Sequence, residues 1–403
     1  MRIAHLAFDQ KFIPFAQDVF EDAFPEGNSW FLLHAKRAPL RYVSNLHNVE
    51  LVSRRGLWDS TCIGRIGKHE MVVVHAMIPE FAEVVKRLSA DTVVLWFGWG
   101  YEYYAYLERV FGPVILPDTA AAWKRSVAAD RAAPDGLMRR LKSAPRKVLR
   151  TLVGAARRKP GETIQTVAGR IDLCSVSPSE MPLLKAAFPH FRAKHYQLHY
   201  FSREDILDQG PSQMAGPDIL LGNSATPENN HVEAMALLKR VPLDGRRIIA
   251  PLSYGPPHYA DEICRLGFDS FGSRFTPLRD YLPVDKYFRL LSTCGTVVMN
   301  HRRQAAMGNI SAALYKGARV VLREENPIYA TYTGLGALLD PMSRIEANPS
   351  AIMQPLTAPE RQKNREVVGA YMSRSNLVRA IQGLAAYCGA ARPLAGAQAE
   401  RAA

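Results

Sequence analysis

Short apolar, β-rich runs alternate with stretches of helical periodicity through both halves of the chain, the rhythm of an α/β protein with largely parallel sheets. In the first half, residues 3–8, 30–34, 71–75, 92–97 and 113–116 predict strands, with helices at 79–90 and 101–110 between them. The second half repeats the pattern, with strands expected at 218–221, 247–251, 296–300 and 319–322. Helices are expected near 230–240, 259–266, 284–292 and 311–316, and again from 359 to 388, where the helical stretch could pack back across the domains. This implies two Rossmann-like halves with a cleft between them. The break is expected near 196–216, where mixed polarity, Gly and Pro precede a fresh strand. That gives an N-terminal domain at 1–205, a C-terminal domain at 206–390 and a tail at 391–403 expected to be disordered.

The length of 403 residues agrees with two domains, each large enough for a core of its own. No apolar run reaches the ~18 residues of a membrane span, and the start, MRIAHLAFDQKF, lacks a signal-peptide core, so a cytoplasmic location is expected. The five cysteines form no CxxC pair and are read as reduced packing residues.

Charge adds a feature that periodicity does not. The net charge is +13, and residues 121–170 alone carry 13 Lys or Arg against 3 Asp or Glu. Within that stretch Arg139, Arg140, Lys142, Arg146, Lys147, Arg150, Arg157, Arg158 and Lys159 alternate with apolar residues at helical spacing. Such an amphipathic basic segment suits an anionic bilayer surface. A solvated basic helix is the plainer alternative, and nucleic acid is not expected, because interleaved aromatics and the usual nucleic-acid motifs are missing.

Signatures for NAD, P-loop ATPase, zinc and serine-hydrolase chemistry are absent, as is DxD, so neither a metal nor a cofactor is expected. The candidate chemistry lies at strand ends. GNSATPENNHVEAM follows an apolar run, with Gly222 permitting close backbone approach and Asn223 and Ser224 offering donors and acceptors. Ser224 or Thr226 could instead cap the next helix. PLSYG ends another run, where Tyr254 could face a base or sugar. HRRQAAMGN places Arg302 and Arg303 beside a helix start, suited to a diphosphate, with Arg303 preferred and the other Arg expected in a structural ion pair. In REENP, Glu325 could accept from ribose hydroxyls or cap a helix. In the first half, VVVHAM puts His75 at a strand end, catalytic or structural. WFGWGYEYY sets Glu102 among rings that could stack on a sugar.

These motifs, with KGARVVLREENP, resemble the bacterial TDP-N-acetylfucosamine:lipid II N-acetylfucosaminyltransferases, the 4-alpha-L-fucosyltransferases of glycosyltransferase family 56. The resemblance is strong over about 218–330, fainter over the first ~115 residues and absent from the basic segment. It implies a GT-B fold, retaining and metal-independent, with the nucleotide-sugar donor in the C-terminal domain. It also implies a lipid-linked saccharide acceptor at the cytoplasmic face of the inner membrane, in enterobacterial common antigen assembly. Donor roles carry onto Gly222, Asn223, Ser224, Asn230, His231, Tyr254, Gly255, Arg303, Gln304, Gly308, Glu325, Asn326 and Pro327, with Arg302 and Asn309 beside them. Catalytic roles are assigned to Arg303, Glu102 and His75. ATPENN and AAMGN depart from the family pattern and leave the donor sugar open. A transferase using another nucleotide-sugar and a non-catalytic nucleotide- or polyanion-binding protein are the alternatives.

Overall fold

A computed structural model describes residues 1–35, 39–132 and 161–391. The expected membrane-binding residues Arg139, Arg140, Lys142, Arg146, Lys147, Arg150, Arg157, Arg158 and Lys159 lie outside the described residues, as does the expected tail from 392 onward. Over the described residues the chain divides into two compact units. The first takes in 1–111, 161–205 and 372–391, and the second 112–132 and 206–371.

The first unit carries a seven-stranded sheet in the order β3-β2-β1-β4-β5-β6-β7, every pair parallel. Its strands are β1 (Ile3–Phe8), β2 (Asn28–Leu33), β3 (Val49–Val52), β4 (Met71–His75), β5 (Val93–Phe97), β6 (Leu173–Ser175) and β7 (Lys194–His195). The central runs MVVVH and VVLWF are buried at every position, as parallel strands covered on both faces require. The helix Ile13–Ala23 covers one face through Ile13, Val19 and Phe20, together with Leu377, Ile381 and Leu384 of the helix Arg374–Ala391.

The second unit carries a six-stranded parallel sheet in the order β10-β9-β8-β11-β12-β13. These are β8 (Ile219–Leu221), β9 (Ile248–Pro251), β10 (Phe275–Leu278), β11 (Thr296–Met299), β12 (Arg319–Leu322) and β13 (Asp340–Pro341). Ile219, Ile248, Val298 and Val321 share a core with Tyr259 and Ile263 of the helix Pro257–Phe271. Among the described residues no helix is long and apolar enough to cross a membrane. All five cysteines are free, and four are fully buried.

Three expectations are corrected. The segment 113–116 is not a strand, because side chains of the second unit take up its backbone groups: Asn230 Oδ1 accepts from Leu116 N at 2.8 Å, and Asn230 Nδ2 donates to Val114 O at 3.1 Å. The helix Pro117–Ala132 belongs to the second unit, not to a domain at 1–205. Glu233 holds its first turn, accepting from Thr119 N at 2.9 Å and Thr119 Oγ1 at 2.5 Å, while Trp123 packs on Tyr259. Conversely, the helix Arg374–Ala391 belongs to the first unit, where Arg374 pairs with Asp22 at 2.7 Å and Asp205 at 3.1 Å.

Candidate donor site and its family

In the second sheet β8 and β11 are neighbours from which the chain winds in opposite directions, the switch point where parallel α/β sheets bind ligands at their carboxyl edge. Four turns meet that edge, following β8, β9, β11 and β12.

After β8, Gly222 adopts φ +68° and donates its N–H to Val298 O at 2.9 Å. A Cβ here would come within 2.7 Å of Asn229 Oδ1 and 3.0 Å of His231 Nε2, so only glycine can occupy the position. Asn229 knits the turn: Oδ1 accepts from Asn223 N at 2.9 Å, and Nδ2 donates to Ser224 Oγ at 3.1 Å and Thr226 Oγ1 at 3.0 Å. Neither Ser224 nor Thr226 caps the helix His231–Leu238, which starts from a left-handed Asn230.

The structure gives Asn230 work other than touching a donor. Asn230 is fully buried; besides its bonds to 114 and 116, it exchanges hydrogen bonds with Asn300, Nδ2 donating to Asn300 O at 3.0 Å and its own carbonyl accepting from Asn300 Nδ2 at 2.9 Å. Every polar atom of its side chain is engaged, leaving nothing to offer a ligand. His231 is also fully buried, with Nδ1 3.2 Å from Tyr259 Oη, and burial pushes its pKa down to about 3.

The turn after β9 lies against the first. Ala225 N donates to Tyr254 O at 2.6 Å, and a Cβ on Gly255, at φ +128°, would stand 2.2 Å from Ala225 O. Tyr254 projects its ring into solvent, 77% exposed.

After β11, His301 is buried with Nε2 3.2 Å from Asn223 Oδ1, and burial, with the nearby Arg303 charge, pushes its pKa down to about 3. The helix Met307–Tyr315 then starts from a left-handed Ala306 without a side-chain cap, so the first-turn N–H groups, including those of Gly308 and Asn309, lack an intrahelical acceptor. Asn309 Nδ2 donates to Tyr287 Oη at 3.3 Å. Arg303 donates to Gln304 O at 3.1 Å and has its Nη2 3.9 Å from Glu228 Oε1. Arg302 reaches Pro113 O and pairs with Glu325 at 3.4 Å, which makes it the structural member of the arginine pair.

After β12, Glu325 lies between Arg302 and Arg323, the latter 3.8 Å away. It does not cap the next helix; Asn326 does, accepting from Ile328 N at 3.0 Å. Asn326 is buried and ties the β11 turn in place, donating to His301 O at 3.2 Å and Arg303 O at 2.9 Å, which again leaves no atom for a donor. The sheet edge thus gathers Gly222, Asn223, Ser224, Tyr254, Gly255, Arg303, Gln304, Gly308, Asn309 and Glu325 on a frame of Asn229, Asn230, His231, His301, Arg302 and Asn326. A helix start and arginines on one edge can hold two phosphates of a nucleotide.

The first unit treats its two candidates differently from the expectation. His75 is fully buried, with Nε2 3.1 Å from His5 Nδ1 and Nδ1 3.0 Å from Tyr200 Oη. Glu102 is 5% exposed; it accepts from Trp96 Nε1 at 2.7 Å and Trp99 N at 3.3 Å, and burial pushes its carboxyl up to about 8. Both point into their own fold, because a strand-end polar group next to an indole N–H or a second imidazole finds a partner inside the unit.

Solved structures share this architecture. The sucrose-phosphate synthase of Thermosynechococcus elongatus aligns over 97% of this chain and 100% of its own, with TM-score 0.59 and 11% identity. HepE of Anabaena, solved with UDP-glucose, aligns over 95% of this chain and 99% of its own at TM-score 0.57 and 9% identity. The α,α-trehalose 6-phosphate synthase of Burkholderia multivorans aligns over 96% and 98% at TM-score 0.54 and 12% identity. These are GT-B glycosyltransferases, and the likeness establishes that fold for this chain. Residues 191–335, which contain all four turns of the candidate donor edge, match the family model of the 4-alpha-L-fucosyltransferase glycosyl transferase group 56.

Proposed function

We propose that the protein transfers N-acetylfucosamine (4-acetamido-4,6-dideoxygalactose) from a TDP-sugar to an undecaprenyl-diphosphate-linked oligosaccharide, in bacterial surface polysaccharide synthesis of the enterobacterial common antigen kind. The observation that carries this reading is the coincidence of the family match at 191–335 with the four strand-end turns at 222–230, 252–256, 300–306 and 323–326. The nucleotide diphosphate lies at the start of the helix Met307–Tyr315, beside Arg303. Tyr254 faces the base or sugar, and Glu325 accepts from ribose hydroxyls.

Transfer proceeds with retention, without a metal. The bond from the anomeric carbon to the diphosphate oxygen breaks, the acceptor hydroxyl oxygen bonds the same face of that carbon, and its proton passes to the departing diphosphate. Arg303 and the helix start stabilise the charge that develops there. The work takes place at the cytoplasmic face of the inner membrane, where the basic segment from Arg139 to Lys159 meets anionic lipid.

Thermal-shift titration with TDP, UDP and GDP, without added metal, tests the donor: selective stabilisation by TDP is expected. A UDP or GDP preference favours the second reading, another nucleotide-sugar, which the departures ATPENN and AAMGN support. Absence of any stabilisation refutes the donor site. Proton NMR of the product anomeric centre decides retention.

A further inference from the structure

The first unit has a switch point of its own, between β1 and β4, which lie side by side in the order β3-β2-β1-β4-β5. Phe8 ends β1 there, His75 ends β4, and Trp99 follows β5. A buried hydrogen-bonded chain runs from the sheet interior to that edge. Asn28 Nδ2 donates to Phe20 O at 3.0 Å and Phe24 O at 2.9 Å, which fixes its Oδ1 as the acceptor facing His5 Nε2 at 3.1 Å. His5 must then carry its proton on Nε2, so its Nδ1 accepts from His75 Nε2–H at 3.1 Å. His75 Nδ1 in turn accepts from the Tyr200 hydroxyl at 3.0 Å, and the Tyr200 oxygen accepts from the Trp99 indole N–H at 2.5 Å.

Every link has one donor and one acceptor, and only two neutral imidazoles satisfy it. Burial holds both histidines neutral. The rings are also locked by stacking: His5 on Trp30 at 3.9 Å, His75 on Phe97 at 5.5 Å. The chain ends at a half-buried Trp99, with Phe8 at 5.6 Å, Phe12 at 5.9 Å and the 49% exposed Tyr101 at 6.3 Å around it.

We infer that Trp99 is the stacking face for a pyranose ring of the acceptor saccharide, and that Tyr200, His75, His5 and Asn28 are positioning residues that fix the angle of its indole. The inference rests on the glycosyltransferase reading for the identity of the ligand. An aromatic face held by a directed hydrogen-bond chain presents the apolar side of a sugar with a pre-set orientation, and little entropy is lost on binding. His75 acts through Tyr200 and touches no reacting atom.

The test uses the full chain and three variants, Trp99→Ala, Trp99→Phe and Tyr200→Phe, with donor KM, acceptor KM and melting temperature measured for each. Trp99→Ala is expected to raise the acceptor KM about tenfold and Trp99→Phe by less, with donor KM unchanged. Tyr200→Phe is expected to raise the acceptor KM about threefold without altering donor KM or kcat at saturating acceptor. An unchanged acceptor KM in folded Trp99→Ala overturns the stacking face, and equal changes in donor and acceptor KM for Tyr200→Phe overturn the positioning role. Should the wild type glycosylate no lipid-linked acceptor, the function reading fails separately. Tryptophan fluorescence titrated with cellobiose and N,N′-diacetylchitobiose then decides the inference: a saccharide-dependent change lost in Trp99→Phe sustains it, and a change absent from the wild type or retained in Trp99→Phe overturns it.

Discussion

Acidification from pH 7 to pH 5 should loosen the second unit. His231 and His301 are buried there with pKa values pushed down to about 3, against 6.5 for an ordinary histidine. The unfolded chain therefore binds protons that the folded one refuses. The stability these groups contribute is complete above pH 6.5 and is lost as pH falls toward 3. Between pH 7 and pH 5 each histidine removes about 2 kcal/mol, so the pair removes ~4 kcal/mol, a shift of roughly 8–16 °C for a unit of this size. Asp218 and Glu262 are held below their ordinary values and add their own loss only at still lower pH. The first unit has depressed histidines as well, His5, His75, His199 and His69, and Glu102 opposes them only in part. With its carboxyl raised to about 8 from 4.5, Glu102 favours the folded unit increasingly as pH falls from 8, and regains about 2 kcal/mol over the same interval. Scanning calorimetry at the two pH values, with hydrogen exchange assigning each transition to β8–β11 or to β1–β5, reads the outcome. A second-unit midpoint that moves by less than ~3 °C refutes the reasoning. So does a His231→Gln/His301→Gln variant that keeps the wild-type pH slope.

Three further outcomes are expected. Asn230→Ala removes a buried side chain that joins 114, 116 and 300, and should cost about 2–4 kcal/mol in urea unfolding; a cost below ~1 kcal/mol would show that those groups find other partners. Gly255→Ala forces a Cβ to 2.2 Å from Ala225 O at a φ that only glycine accepts comfortably, so nucleotide binding by calorimetry should be lost and stability should fall by about 3 kcal/mol or more; normal TDP binding would contradict the contact between the two turns. Glu228→Gln removes the carboxylate 3.9 Å from Arg303 and should tighten nucleoside diphosphate binding about threefold at low salt, an effect that weakens as salt rises; unchanged or weaker binding would show that Glu228 does not compete with the phosphates.

The parts of the fold legible in the sequence were those where one physical term dominates. Ile3–Phe8, Met71–His75 and Arg319–Leu322 are the strands read from the sequence, residue for residue, because a strand buried on both faces must be largely apolar. The strands that escaped notice are short or marginal: Val49–Val52 is largely exposed, Leu173–Ser175 has three residues, Lys194–His195 and Asp340–Pro341 have two each, and Phe275–Leu278 contains Pro277, which a parallel sheet tolerates at the edge where β10 lies. The turns of the donor edge could be found because small and polar residues directly after an apolar run have few structural explanations. Their frame could not. His301 meets Asn223 across 78 positions of sequence and His5 meets His75 across 70, and no local pattern reports such pairs. Glu102 was misjudged because its aromatic surroundings suggest a sugar as readily as an indole donor, and only geometry shows that Trp96 takes the carboxylate.

The return of the helix Arg374–Ala391 to the first unit bears on how the chain is made. All seven strands of that unit have been synthesised by His195, yet Leu377, Ile381 and Leu384, which close its core beside Phe20, leave the ribosome only after the whole of 206–371. The second unit can therefore complete its fold while the first still exposes the apolar groove meant for that helix. During this interval the nascent chain presents a surface that chaperones bind and that neighbouring chains can invade. A chain truncated after residue 371 should therefore fold its second unit while the first keeps an open apolar groove at Phe20.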